Sequence, residues 1–510
     1  MSSAIARHGR AALSATALGL LIYHGTVLPA EWSVVPAVKV LETYTSNVFL
    51  SSSNEKSDAV TTVTPAVSIR GEGARLKLDA DYFAHMFAYA NNSDENRVHN
   101  YLNARVTVEA VDNFFFIDAI AKSTQEYISP FAARPSDNGS INNNLVEVHT
   151  YGVSPYIQGV LSGGITYRLR NDENWITSKS DQLSDVQISR WTGRMDSPIR
   201  LFGWALDYAN TATDFEGQSE RHEALYRGIG FYQPSSTWRL SASGGYESNN
   251  YATTFKNDPG AIYGLGTSWA ASPRTSASVQ WEHRSFGSSY LANVDSHSRL
   301  TAWHFGCSRR ISNYPIELLT LRPGNNAAML DAIFSTRVPD RTERIEAIRQ
   351  FLQSTETPRF SGTSLAFFTE DIFLQEQVVA SMALLGKQNS LTLTTFRIKS
   401  TPIEQAPNLA TSGAFKQGDV ITQTGLRANF SHKLTPFTNL NLMAARTYSK
   451  VERFSQGTST QDEVRATVSK TLSPKTDASV GMHFTQLTAD NTGTESYHEA
   501  ALFIALGHRF

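Results

Sequence analysis

Residues 75–84, RLKLDADYFA, carry the pattern that decides the fold. Leu76, Leu78 and Ala80 alternate with charged residues, so apolar and polar side chains fall on opposite faces of an extended strand. The same two-residue period recurs in residues 102–109, 238–243, 277–282, 464–469 and 477–484. A chain built from many strands with one apolar face each predicts an all-β protein.

The connectors between these strands alternate between short and long. Short connectors made of turn residues include Gly71–Gly73, Asp112–Asn113 and Ser473–Pro474. Longer polar connectors are predicted over residues 51–58, 91–97, 129–144, 171–182, 249–259, 401–417 and 452–460. Short turns at one end and longer loops at the other are typical of outer-membrane barrels, which must close because lipid leaves an open strand edge unsatisfied. We therefore predict a single closed antiparallel transmembrane β-barrel.

The strand number is predicted to be about 20–22. About 21 strand-like blocks can be counted, whereas single-chain bacterial barrels have an even number of strands. A further strand over Tyr314–Arg322 would give 22. The residues after it, about 323–370, then form an external insertion that bears a helix.

A short helix is predicted over residues 340–353. Asp340 is a candidate N-cap with Glu343 three residues later, and Ile345, Ile348 and Leu352 fall on one face. Two interpretations remain open at this point. The helix either packs on an external loop or forms a plug that constricts the lumen.

The first 30 residues predict a cleavable signal peptide. Arg7, His8 and Arg10 form a basic flank, and the apolar segment Ala11–Tyr23 is shorter than the roughly 20 residues that a spanning helix needs. The small residue Ala30 suits cleavage, so the exported chain is expected to begin at residue 31. The expected location is the Gram-negative outer membrane, with outer-membrane lipids and the barrel assembly machinery as partners.

The composition argues against several other classes of protein. The mean hydropathy of -0.29 is too low for a helical membrane protein, but it fits a barrel with an apolar outside and a polar lumen. A net charge of -2 without any Lys/Arg-rich run argues against nucleic acid as a partner. The single cysteine, Cys307, and the histidines form no metal-binding motif, so we expect neither a metal nor a cofactor.

Ionisable residues on the polar faces of the predicted strands are the candidate functional residues. At the membrane midplane an Arg or Lys facing lipid would cost roughly 2–4 kcal/mol, so these side chains are predicted to line the lumen. The candidates are Arg75, Lys77, Asp79, Asp81, Arg105, Glu109, Arg239, Glu247, Glu282, Arg427 and Arg465. They either select a passing solute or form ion pairs that only fill the interior.

The last predicted strand, Tyr497–Phe510, carries Leu502, Ile504 and Leu506 in alternation and ends in the aromatic residue Phe510. A terminal aromatic residue on an alternating strand resembles the assembly signal of outer-membrane barrels. Phe510 is therefore predicted to serve barrel assembly.

Several short segments, taken in order, resemble one known family. They are Glu31–Trp32, Pro36, Glu42–Val48, Val63–Pro65, Gly71, Asp81–Tyr82, Leu318–Leu321, Pro339–Arg341, Arg344 and Leu384–Ser390. The family is the exosortase or PEP-CTERM system-associated outer-membrane β-barrel family, and the resemblance extends over most of the chain after residue 30. It implies a role beside exopolysaccharide production and export, and it brings no catalytic residues. Cys307 departs from it, because an ordinary lipid-facing or lumenal residue is expected there.

Three functions are compatible with the sequence. The favoured one is a channel or export-associated pore, with exopolysaccharide or its export components as partners. The alternatives are a non-conducting structural or docking barrel for secreted matrix, and an outer-membrane hydrolase. No GxSxG motif follows a strand, so the chain is not predicted to be an enzyme.

Overall fold

A computed structural model describes residues 31–135, 139–179, 184–216, 219–250, 260–313, 326–335, 338–354, 372–404, 419–452, 456–490 and 494–510. Within these residues, twenty-two antiparallel strands form one sheet. The sheet is closed, because β1 (Glu31–Thr45) pairs with both β2 (Asp58–Glu72) and the last strand, β22 (Tyr497–Arg509). The predicted all-β, closed antiparallel barrel is confirmed at 22 strands.

The other strands follow in chain order, each paired with its sequence neighbours. They are β3 (Leu76–Tyr89), β4 (Arg97–Val111), β5 (Phe115–Tyr127), β6 (Leu145–Val160), β7 (Thr166–Ser178), β8 (Val186–Asp196), β9 (Phe202–Phe215), β10 (Arg221–Tyr232), β11 (Trp238–Asn249), β12 (Ala261–Ser272), β13 (Thr275–Arg284), β14 (Gly287–His297), β15 (Thr301–Asn313), β16 (Ile372–Leu385), β17 (Asn389–Glu404), β18 (Val420–Thr435), β19 (Thr438–Glu452), β20 (Gly457–Ser473) and β21 (Thr476–Asp490). Two α-helices, α1 (Asn326–Phe334) and α2 (Arg341–Ser354), lie between β15 and β16. Neither of these described helices is long and apolar enough to cross a membrane.

The two ends of the barrel differ in their connectors. Even-numbered strands are followed by turns of two to five residues, and the strands that begin and end the barrel also have their outer termini at this end, which we call the turn end. Odd-numbered strands are followed mostly by longer connectors at the opposite end, which we call the loop end. This is the arrangement of outer-membrane barrels.

Some of the predicted boundaries were wrong. Residues 171–178, 401–404 and 457–460 were assigned to loops, but they belong to β7, β17 and β20. Their polarity was misleading because a strand facing a polar lumen satisfies such side chains internally, as Asp172 does with Arg170. The candidate strand over residues 314–322 and the signal peptide over residues 1–30 lie outside the described residues.

The outer wall is apolar. On β22, Leu502, Ile504 and Leu506 are 52–61% exposed, whereas the alternate residues Ala501, Phe503 and Ala505 are buried. Aromatic pairs ring both ends of the wall, with Trp238 stacked on Trp269 near the turn end and Tyr263 against Trp281 towards the loop end. An apolar band between aromatic belts is the surface that such barrels present to lipid.

Candidate functional site in the lumen

Helices α1 and α2 lie inside the barrel. Leu330 and Ile333 of α1 are fully buried and pack against Ala302 of β15 and Ala383 of β16. These alanines face inward, because the neighbouring Trp303 is exposed on the outer wall. The helices therefore contact the lumenal side of the wall.

The contact lies at the turn end, far from where the insertion leaves the wall. The insertion begins after Asn313, at the loop end of β15, whereas Ala302 is the second residue of the same strand. At about 3.3 Å per residue, the two points are roughly 35 Å apart along the strand. Of the two interpretations left open by the sequence, the structure shows the one in which the helix folds into the lumen.

The start of α2 matches the sequence prediction. The amide of Glu343 donates a hydrogen bond to Asp340 Oδ1 at 2.9 Å, so Asp340 caps the helix. Arg344 then joins the two helices through a 2.6 Å ion pair with Asp331 of α1. Helix α1 itself was not predicted.

The apolar face of α2 differs from the predicted one. Ile348 and Leu352 pack into the cluster with α1, and Phe351 joins them. Ile345 was predicted to share this face, but it is 56% exposed. The apolar face of α2 therefore begins one turn later than predicted, at Ile348, which packs against α1.

The described residues of the connector between β5 and β6, 128–135 and 139–144, also fold inward from the loop end, and we call this connector the 128–144 loop. Phe131 is fully buried against Phe373, Ile421 and Val451. Those residues belong to β16, β18 and β19, far around the barrel from β5 and β6. The Ser459 hydroxyl holds the loop there by donating a hydrogen bond to the Phe131 carbonyl at 3.1 Å. This loop therefore crosses the mouth of the barrel.

A buried cluster attaches the returning part of the same loop beside the seam where β22 meets β1. Glu499 accepts hydrogen bonds from Thr45 Oγ1 at 2.6 Å and from Ser140 Oγ of the loop at 3.3 Å. His483 Nε2 lies 3.6 Å from Glu499, and both side chains are almost completely buried. The cluster thus joins a lumen loop to the strands that close the barrel.

Between these two inward elements lies a cavity of ≈ 1090 Å³. Its lining comes from the inner faces of β18–β22, from the 128–144 loop and from Gln350 of α2. Amide and hydroxyl side chains are frequent in it, including Asn429, Asn441, Gln461 and Ser469. We call this space the basic cavity, because five basic and two acidic side chains face it. They are Lys39 of β1, Arg134, Arg427, Arg465 and Arg509, with Glu463 and Asp477. Lys470 also lies at its edge, but it follows the outward-facing Val464 and Val468 on β20.

Arg134, the basic side chain that the 128–144 loop adds to this cavity, keeps its charge at neutral pH. Burial lowers the pKa of the Arg134 guanidinium, in the 128–144 loop, to about 10, which still leaves it protonated. Arg427 contacts Glu463 at 3.7 Å, and Arg465 lies over the Phe503 ring with its guanidinium carbon 4.3 Å from the ring centroid. The inward-facing lining carries five basic and two acidic side chains, a formal excess of three positive charges.

The opposite wall, β5–β13, carries a series of ion pairs that we call the ladder. In it, each of four arginines contacts two carboxylates, which lie on the same strand or up to three strands away, and Asp207 is shared by two of the arginines. The pairs are Arg170 with Asp118 and Asp172, Arg194 with Asp196 and Asp207, Arg227 with Asp207 and Glu282, and Arg284 with Glu223 and Glu247. Charges arranged in this way satisfy one another.

The predicted lumen residues divide among these regions. Arg427 and Arg465 border the basic cavity, and Glu247 and Glu282 belong to the ladder. Asp79 and Asp81 pair with Arg70 of β2, at 3.2 and 2.7 Å. Arg105 lies opposite Asp79 in the register of β3 and β4.

The remaining candidates lie at the turn end. Lys77 pairs with Glu72 at the rim, and Glu109 accepts a hydrogen bond from the Asn113 amide. Arg239 donates to Gln233 at 3.3 Å. Arg75 was placed on a strand, but it lies in the turn before β3. The Gly73 amide closes this turn on the Leu76 carbonyl, at 2.8 Å.

Most residues of the ladder and of the basic cavity were not predicted as functional residues from the sequence. The ladder arginines could have been found, since Arg170, Arg194 and Arg227 lie on the polar side of alternating strands. The sequence predicts a loop over residues 171–182, so Asp172 is not recognised as a residue of a lumen-facing strand. No sequence pattern indicates that Arg134 faces the lumen, because side chains in a loop do not alternate between two faces.

Phe510 follows the last strand at the seam of the barrel, and Cys307 lies within a regular strand. The amide of Phe510 donates to the Pro36 carbonyl at 2.9 Å, beside the seam. Its role in assembly stays a prediction. Cys307 is half-buried in β15, opposite the outward-facing Val378. Among the described residues there is no group of three or more His, Cys, Asp or Glu side chains that could hold a metal ion.

Comparison with known proteins finds structural neighbours only. No family model matches the sequence, and no curated protein matches it. The siderophore receptor PirA from Acinetobacter baumannii is similar with 8% identity and a TM-score of 0.49, covering 94% of this chain and 80% of that one. The outer membrane protein opdK from Pseudomonas aeruginosa is similar with 7% identity and a TM-score of 0.36, covering 94% and 99%. Similarity at this level assigns no substrate to the chain.

Proposed function

We propose that this chain is an outer-membrane channel whose lumen is restricted by the α1–α2 pair and by the 128–144 loop. The observation that supports a channel is the polar, charged cavity inside a closed barrel with an apolar outer wall. A barrel of 22 strands is too wide for its wall side chains to fill, and such barrels hold a plug in the lumen. The inward helices and loop fit that role.

We further propose that the channel serves export of an exopolysaccharide. Two features support this step. The sequence resembles the family associated with exosortase and PEP-CTERM systems, and the basic cavity carries amide and hydroxyl groups of the kind that hydrogen-bond saccharides. A docking barrel for secreted matrix would need neither a cavity nor lumenal hydrogen-bonding groups.

The channel proposal can be tested by releasing the helices. Leu330 and Ile333 hold α1 on the wall by burying their full side chains. Replacing both by Asp places charges in this apolar contact, which is strongly unfavourable. In planar-bilayer recordings, Leu330→Asp/Ile333→Asp should raise the single-channel conductance several-fold above that of the unaltered chain.

The matched control is Ile345→Asp, on the exposed part of the same insertion. It introduces the same side chain without breaking the contact, so the conductance should not change. If the unaltered chain and the Leu330→Asp/Ile333→Asp variant are both silent while folded, the chain is a scaffold and not a channel.

A further inference from the structure

The basic cavity has the chemistry of a ligand site as well as that of a passage. Its ≈ 1090 Å³ is slightly above the about 300–1,000 Å³ typical of small-molecule pockets. Five cations face it against two acids, whereas on the ladder wall two carboxylates contact each of the four arginines. An unbalanced positive charge in an enclosed space attracts anions.

The neutral groups of the lining point to the kind of anion. Asn429 and Asn441 are buried in the wall and linked to neighbouring hydroxyls, which fixes their orientation. The Thr467 hydroxyl also borders the cavity, and it has no hydrogen-bond partner in the described part of the chain although Thr467 is 1% exposed. A buried polar group of this kind is satisfied by a ligand or a water.

Arg427 and Arg465 are the central cations of this site. They lie on the inner faces of β18 and β20, separated by the inner face of β19, so they face the same space. Arginine presents planar donors that match carboxylate, sulfate or phosphate oxygens in pairs. Amides and hydroxyls arranged around two such cations suit a molecule that carries both hydroxyl and anionic groups.

We propose that the basic cavity binds an anionic saccharide, with Arg427 and Arg465 holding its acidic groups and the surrounding amides and hydroxyls holding its sugar hydroxyls. This inference rests on the proposed function for the source of the ligand. Binding itself does not require transport, so the two can fail separately. The channel would then be an exit for acidic rather than neutral polysaccharide.

The test measures binding by titration calorimetry on the full chain in detergent at low ionic strength. The probes are an oligogalacturonate, a sulfated malto-oligosaccharide and a neutral malto-oligosaccharide of the same length. Binding of either anionic probe well above the neutral one is expected, and the two anionic probes show which acid group is preferred. At about 1 M salt, where the Debye length is about 3 Å, the difference should shrink.

Arg427→Gln/Arg465→Gln should weaken the binding affinity for the preferred anionic probe by about tenfold or more. Arg427→Lys/Arg465→Lys keeps the charge and should recover most of the affinity. The control is Arg397→Gln, which removes an exposed arginine from β17 between the inward-facing Phe396 and Ile398 and should leave binding unchanged. Heat-modifiable gel mobility checks that each variant is folded.

Equal binding of neutral and anionic probes, or undiminished binding by the folded Gln variant, would overturn the anionic-saccharide site. Anion-dependent binding by a chain that stays silent after release of the helices would keep this site and reject the channel. Conductance without any preference among the probes would keep the channel and reject the site.

Discussion

The two sides of the lumen use similar side chains in different arrangements. On the ladder wall, the guanidinium of Arg227 lies 2.8 Å from the carboxylates of both Asp207 and Glu282, so these neighbours neutralise its positive charge. On the basic cavity side, the Arg427 guanidinium lies 3.7 Å from the Glu463 carboxylate, beyond hydrogen-bonding distance. The sequence left open whether the inward charges select a solute or only form ion pairs, and the structure shows close ion pairs on the ladder side.

The difference teaches that an inward charge is not by itself a functional one. A charge between two opposite charges projects little field into the lumen, whereas an uncompensated one in a confined space shapes the potential that a solute meets. The ladder should therefore matter for stability and the cavity for selectivity. Three predictions test this division.

The largest effect is expected from reversing charge in the cavity. Arg427→Glu/Arg465→Glu changes the balance from five cations and two acids to three cations and four acids, so the preference for anions should disappear. The measurement is the reversal potential across a KCl gradient, in the Leu330→Asp/Ile333→Asp background. Arg194→Gln on the ladder should shift it much less, and equal shifts would contradict the comparison.

A smaller effect is expected on the free energy of unfolding. Here a substitution on the ladder wall should have a larger effect than one in the basic cavity. Arg227→Gln leaves Asp207 and Glu282 facing each other without their common cation, at a cost of about 2 kcal/mol of the free energy of unfolding. Arg427→Gln loses one long contact and should cost less than about 1 kcal/mol. Urea unfolding of both variants, refolded in the same lipid, gives the values. A cost for Arg427→Gln as large as that for Arg227→Gln would mean that the cavity charges also serve the wall.

The smallest effect is the pH dependence of the cavity. The pKa of Arg134 is lowered only to about 10, so its charge persists at lower pH, and the described lining residues include no histidine. Anion preference should therefore be constant between about pH 6 and 9. A step between pH 6 and 9 would show that a group outside this lining controls selectivity.

Much of the barrel could be predicted because its signal is local. The alternation in residues 75–84 or 477–484 fixes which side chains share a face, whatever the rest of the chain does. It correctly placed Arg427 and Arg465 on an inward face and gave the closed barrel. It failed where polarity inside a strand looked like a loop, as in residues 171–178.

The sequence by itself therefore determined the strands, the apolar outer wall and the side on which most of the charges lie. Only the tertiary structure decided which charges are paired, because Arg227 and Glu282 are far apart in sequence and meet through the curvature and register of the closed barrel. It also decided that α1 and the 128–144 loop turn inward. Their direction depends on contacts such as Leu330 with Ala383 and Phe131 with Val451, between segments that carry no common period.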